Sequence, residues 1–312
     1  MRKTYKLFIG GAFPRSESGR SYPVATPGGE LLAYAARASR KDARDAVRAA
    51  RGAFARWSGA TAYNRGQVLY RVAEVMEGRA AQFAAEVAAA EGITMPNSAA
   101  PRSAAPGSAA VPATAENPAA GRVSAAIDRW VWYAGWTDKV AAVAGAANPV
   151  AGPYFNFSVP EPTGVVAILA PAGSSLLGLV SVLAPVIATG NTAVVVTSGE
   201  RPLPAITLGE VLATSDVPAG VVNLLTGDPA ELAPVLAAHQ DVDAIDLTGA
   251  PPGSAADLEA LAAGNLKRVF RGRDGARAPD PGRPEDDWLA VPGTGRLLAF
   301  LEIKTVWHPA GI

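Results

Sequence analysis

The chain has 312 residues, room for about two ordinary domains, and its 28 basic and 28 acidic residues cancel, so no bulk field selects nucleic acid or an anionic membrane as partner. Hydrophobic residues make up 49%, enough for a substantial core, yet no run reaches the roughly 18 apolar residues of a membrane span. Cysteine is absent, which excludes disulfides, thiolate metal sites and every cysteine-nucleophile mechanism within this chain.

The N-terminus leads directly into a short apolar strand, and a cytoplasmic protein is the expectation. From Tyr5 to Val24, alternation and the Gly10-Gly11 pair predict a strand, a turn and a second strand. Ser39-Arg-Lys-Asp42 opens a helix as a capping box, and Ala43, Val47, Ala50, Phe54 and Trp57 recur at three- and four-residue spacing on its buried side. A second amphipathic helix is predicted from about Asn64 to Glu91, burying Leu69, Val72, Met76, Phe83 and Val87.

Pro96 to Gly121 carries Ser-Ala-Ala repeats with almost no large side chain, so little apolar area offsets the entropy of ordering and the stretch is expected to be disordered. A helix is predicted to resume at Arg122, carrying Trp130, Trp132, Tyr133 and Trp136. Without net positive charge these aromatics read as a core stripe rather than a stacking platform for bases. Between Thr163 and Leu247, short apolar strands at Val165 to Ala170, Ala193 to Val196, Val221 to Leu225 and Ala244 to Leu247 alternate with helices. That alternation predicts an α/β fold with a parallel, doubly wound sheet. Asp228-Pro-Ala-Glu231 reads as a helix start, with Asp228 at the N-cap. Arg271 to Pro292 reads as a polar linker. The cations Lys267, Arg268, Arg271, Arg273 and Arg277 are read as a solvated loop, and Leu297 to Trp307 as a strand.

Four phrases in order, Glu161-Pro-Thr-Gly-Val-Val166, Ala184 to Thr192, Pro218 to Gly227 and Leu247-Thr-Gly249, resemble the NAD(P)-dependent aldehyde dehydrogenase superfamily. Phe8-Ile-Gly-Gly11, Ala53 to Trp57 and Tyr133 to Trp136 add to the likeness. The resemblance runs from Tyr5 to about Phe270 and implies a Rossmann-like cofactor domain with a small β oligomerisation arm. It divides the chain into 1–93, the N-terminal part of the cofactor-type domain; 94–121, a low-complexity disordered insert; and 122–146, a further helix of that domain. There follow 147–160, the β arm; 161–270, the Rossmann-like core; 271–296, a linker where relatives have their catalytic domain; and 297–312, a C-terminal oligomerisation strand. That last strand is expected to pair, around Phe300 to Trp307, with an arm near Tyr154 to Val159 supplied by a second copy or a full-length aldehyde dehydrogenase.

The family's reaction needs a thiolate nucleophile, a carboxylate base and an amide donor for the oxyanion. The resemblance places the first two in the missing lobe. At the third position stands Gly173, within Pro171 to Ser175, and it has no side chain to donate. No catalytic residue is therefore expected. The cofactor-facing positions implied are Leu169, Ala170, Pro171, Ser198, Glu200, Gly227, Thr248 and Gly249. Val196 replaces the family's ribose-contacting lysine, and Ala250 replaces the serine facing the diphosphate; each loss removes on the order of 1–3 kcal/mol of binding. NAD or NADP is thus expected to bind weakly or not at all, and no metal is expected. The function implied is a catalytically inactive, aldehyde-dehydrogenase-like structural or regulatory subunit, with a non-catalytic NAD(P)-binding sensor, or an oxidoreductase active only with a partner, as alternatives.

Overall fold

The computed structural model describes residues 2–95, 117–272 and 288–310. Near the N-terminus, Thr4–Tyr5 (β1) lies parallel to Leu31–Ala36 (β3), which pairs antiparallel with Ser21–Ala25 (β2). Helix α1 (Arg40–Ser58) starts as its sequence predicts: Ser39 Oγ accepts from the Lys41 and Asp42 amides, and the Asp42 carboxylate accepts from the Ser39 amide. At its far end Trp57 Nε1 donates 3.0 Å to the Ile187 carbonyl, locking the helix to the central sheet's other layer.

The single helix predicted over 64–91 is two, α2 (Ala62–Glu77) and α3 (Ala80–Glu91). Gly78 ends the first, its amide donating to the Glu74 and Met76 carbonyls. The break does not disturb the burial pattern, since Leu69, Val72, Met76, Phe83 and Val87 are all fully buried, so apolar periodicity carried no sign of it. Helix α4 (Pro118–Trp136) begins four residues before the expected Arg122. Asn117 Oδ1 accepts from the Ala120 amide and Pro118 fills the first turn, where its missing amide costs nothing. Ala119 is already in the core, so the expected disordered stretch stops short of Asn117; its remainder, Pro96 to Glu116, lies outside the described residues. The aromatic stripe is core, with Trp130 and Tyr133 buried and Trp132 tilted against Trp136 at 5.4 Å.

After α5 (Val140–Ala144) come β4 (Ala146–Asn148) and β5 (Tyr154–Pro162). The central sheet follows: β6 (Val165–Leu169), β7 (Thr192–Val196), β8 (Val222–Leu225), β9 (Ala244–Asp246) and β10 (Arg268–Phe270), all parallel in the order β10-β9-β6-β7-β8. Every residue of β6 and β7 is buried, which is why these strands read as continuous apolar runs rather than alternations. Helices α6 (Leu177–Ala188), α7 (Leu203–Ala213), α8 (Pro229–Ala237) and α9 (Ala255–Ala262) complete the crossovers. Asp228 caps α8 as expected, accepting from the Ala230 amide. One core, around Ile168, Val195 and Leu183, lies under α6; the other, around Leu169, Val194 and Leu232, lies under α1 and α8.

The chain ends in α10 (Gly295–Ala299) and β11 (Leu301–Pro309). The expected pairing of this strand with another subunit's arm is corrected here. Strand β11 pairs antiparallel with β5 of its own chain along its whole length, from Leu301 opposite Pro162 to Pro309 opposite Tyr154. The reason is a local tether: Asn191 Nδ2 and the Thr163 amide both donate to the Phe300 carbonyl, at 2.9 and 3.2 Å, and set β11 beside β5 as it begins. The arm is thus a three-stranded sheet, β11-β5-β4. Among the described residues no helix is long and apolar enough to cross a membrane.

Replacing Asn117 with alanine is expected to cost about 1 kcal/mol, the typical value of a lost N-cap. A thermal melt indistinguishable from wild type would show that α4 does not depend on this cap.

Candidate functional site

In a doubly wound sheet, ligands bind outside the carboxyl ends of the strands where the winding direction reverses. Here the chain passes from β6 outward to β7 and β8, then returns to build β9 and β10 on the other side of β6. The crevice therefore lies between the loops after β6 and after β9. These loops touch. The Gly249 amide donates 2.9 Å to the Leu169 carbonyl, and a Cβ at Gly249 would stand 2.0 Å from the Ala170 oxygen, so only glycine permits this approach.

The loop after β6 is tied at each polar step. Ser198 Oγ donates to the Ala172 carbonyl at 3.2 Å, Arg201 Nη1 to the Gly173 carbonyl at 2.6 Å, and the Gly178 amide to Ser174 Oγ at 2.9 Å. Glu91 Oε1 accepts from both the amide and the hydroxyl of Ser175 at 2.7 Å, while its second oxygen pairs with Arg122.

At the ends of β9 and β10 a second set of contacts closes the crevice. Asp246 has no solvent exposure and accepts from the Thr248 amide and hydroxyl. Arg296, delivered by α10, donates from Nη1 to Asp246 at 2.7 Å and from Nη2 to Thr248 Oγ1 at 3.0 Å. Its guanidinium lies over the rings of Phe270 and Trp288, 4.9 and 5.6 Å from their centres. Arg129 of α4 then clamps the incoming segment, donating to the carbonyls of Trp288 and Ala290. Burial lowers the pKa of Arg129 and pushes the Tyr133 phenol beside these guanidiniums up to about 12, against their opposing pull.

Of the expected cofactor-facing positions, Leu169, Ala170, Pro171, Ser198, Thr248 and Gly249 gather around the crevice. Two do not. Gly227 turns toward Ala38, whose amide a Cβ would meet at 3.2 Å, and Glu200 is exposed on an open cavity of about 400 Å³ that Tyr22, Thr26 and Pro27 line from the N-terminal hairpin. Of the basic cluster, Arg268 pairs with Glu302 and Arg271 with Glu259, while Lys267 is buried beside Asn265 with its pKa lowered by that burial. Arg273 and Arg277 lie outside the described residues. Sequence reasoning missed Glu91, Arg129, Asp246 and Arg296; the one available signal was a carboxylate ending an otherwise apolar strand.

Residues 13–275 match the family model described as the aldehyde dehydrogenase family. The chain belongs to that family. It is 33% identical over 267 residues to aldehyde dehydrogenase family 2 member B4, mitochondrial, of Arabidopsis thaliana, covering 85% of this chain and 45% of the relative. It is also 33% identical over 280 residues to retinal dehydrogenase 2 of Gallus gallus, covering 86% and 48%. Among solved structures, HpcC from Thermus thermophilus superposes with a TM-score of 0.74 at 28% identity, covering 86% of this chain and 47% of that one. The chain spans about half the length of these aldehyde dehydrogenase relatives.

Arg296→Ala would strand the Asp246 carboxylate in the core, and a loss of about 3–5 kcal/mol is expected in urea unfolding; the double replacement Asp246→Leu with Arg296→Met is expected to recover most of it. Equal stability for the single and double variants would show that the pair is not the cause. A raised phenol pKa also predicts alkaline sensitivity: the contribution of Tyr133 is complete below its ordinary pKa of 10 and is lost as pH rises through about 12. Tyr133→Phe is therefore expected to keep a larger fraction of its neutral-pH stability at about pH 11 than the wild type does, read as urea midpoints at both pH values.

Proposed function

We propose that this chain is a catalytically inactive member of the aldehyde dehydrogenase family, acting in the cytoplasm as a structural or regulatory subunit that assembles with an active aldehyde dehydrogenase through its arm. The observation that carries this reading is the closed end of the crevice, where Arg296, Asp246, Thr248, Phe270 and Trp288 fill the space beyond β9 and β10 with one another. Two sequence facts support it. No residue of the chain is a cysteine, so the thiolate that family chemistry requires has no source here. Gly173 stands where the resemblance calls for an amide donor, and its carbonyl is held by Arg201.

The cofactor site is read in the same way. A diphosphate needs donors aimed at it, but Ser198, Arg201 and Arg296 donate to Ala172, Gly173 and the Asp246–Thr248 pair. The residues present do not fit a tightly held dinucleotide. A second reading, a nucleotide-binding sensor without catalysis, draws support from the cavity beside Glu200, whose volume of about 400 Å³ falls in the ligand-sized range.

The purified chain is expected to produce no NADH or NADPH from small aliphatic or aromatic aldehydes, and to come down with a full-length family member from its native source. Sustained turnover that scales with the concentration of the chain overturns the inactive reading. Recovery of the native chain free of any family member overturns the mixed assembly.

A further inference from the structure

Arg129 is the one arginine among the described residues that is buried, at 7% exposed, and a guanidinium so placed normally has an anion beside it. Here it has none. Among the described residues no carboxylate lies within ion-pair distance of Arg129, and the nearby Asp246 is already taken by Arg296 at 2.7 Å. Burial, and after it the neighbouring cation Arg296, lower the pKa of Arg129. Its polar contacts are two neutral oxygens on one nitrogen: Nη2 donates to the Trp288 carbonyl at 2.6 Å and to the Ala290 carbonyl at 3.1 Å.

Those oxygens belong to a weakly held strap, residues 288–293, on the approach to α10. From Ala290 to Gly293 no backbone–backbone hydrogen bond is made among the described residues. Val291 is 87% exposed, and a Cβ at Gly293 would meet nothing within 4 Å. A segment with so few buried contacts opens at low cost. What it sets against the two guanidiniums is a pair of carbonyl oxygens on Arg129 and an indole ring 5.6 Å from Arg296. Beyond the strap the chain is fixed independently, because Leu297 and Phe300 are in the core and Arg296 is held on Asp246.

We propose that Arg129 is a binding site for a small aromatic carboxylate, for which the strap is an internal stand-in. The carboxylate takes the place of the Trp288 and Ala290 carbonyls, and its ring takes the place of the indole over Arg296. A carboxylate brings a full negative charge, in the planar geometry that a guanidinium fork matches, where the strap offers only dipoles. A neutral amide lacks that charge, and inorganic phosphate lacks the ring. Because the strap must first leave, the observed affinity is the intrinsic one reduced by the open fraction, and an apparent dissociation constant on the order of 0.1–1 mM is expected. The site goes beyond the inactive-subunit reading and asks nothing of the crevice, since Arg296 stays on Asp246.

Titration of the full chain with benzoate tests this, followed by tryptophan emission and by thermal melting. A saturable shift of the emission to longer wavelength is expected as Trp288 is released. Trp288→Phe is expected to lose that shift while benzoate still raises its melting temperature. Arg129→Lys keeps the charge but not the fork, and is expected to bind benzoate at least about tenfold more weakly; benzamide and inorganic phosphate are expected to be weaker than benzoate by a similar factor. Trp288→Ala removes part of the competing strap and is expected to bind benzoate about threefold more tightly or better, an effect that a purely structural Arg129 would not produce and that is read without altering Arg129 itself. No saturable change up to about 10 mM benzoate, equal affinity in Arg129→Lys, phosphate matching benzoate, or weaker binding by Trp288→Ala would each overturn the proposal. None of these readouts involves turnover or copurification, so failure here is separable from failure of the inactive-subunit reading.

Discussion

Asp246 is fully buried at the end of β9, in a strand hydrogen-bonded on both sides, where a charge left alone would cost several kcal/mol. Arg296 relieves that cost from fifty positions further along the chain. To reach Asp246 it must bring the segment around α10 back across the carboxyl ends of β9 and β10, which sets Leu297 and Phe300 into the core beside α6. Phe300 is then close enough for Asn191 to hold its carbonyl, and that contact starts β11 alongside β5. The same Asn191 accepts from the Gly164 amide at the entry to β6, so sheet, arm and C-terminal strand are joined at one buried amide. The ion pair therefore both closes the end of the crevice and sets the course of the segment that leads into β11.

What was legible in the sequence was mostly local. The Ser39 capping box, the Asp228 cap and the apolar runs of β6 to β9 each depend on residues within a few positions of one another, and each sits where its pattern placed it. The arm strands were legible as elements but their pairing was not, because an unpartnered apolar strand states only that an edge is needed. Asn191, which supplies the tether, entered the sequence reading only as part of the Ala184 to Thr192 phrase, with no contact assigned to it. The start of α4 was hidden by the alanine-rich composition that precedes it, although Asn117-Pro118 is a valid cap.

The crevice was the least legible part. Its floor followed from the Thr248-Gly249 phrase, but its closure depends on pairs separated by 50 residues in Arg296–Asp246 and 84 in Glu91–Ser175. No periodicity records such pairs. Arg296 sat in what read as the end of a polar linker, and Glu91 only as the last residue of a predicted helix. Both are carboxylate–donor contacts made with buried partners, the kind that fixes a loop in one conformation and leaves its donors unavailable to a ligand. In this family scaffold the crevice is held by its own side chains.

The most direct measurement of that account is a calorimetric titration of the purified chain with NAD and with NADP. A crevice closed by Arg296 and Asp246, with Ser198 and Arg201 committed to the loop after β6, predicts no saturable heat, or a dissociation constant weaker than about 1 mM, equivalent to roughly −4 kcal/mol. Stoichiometric binding of either dinucleotide in the micromolar range by the unmodified chain would contradict it.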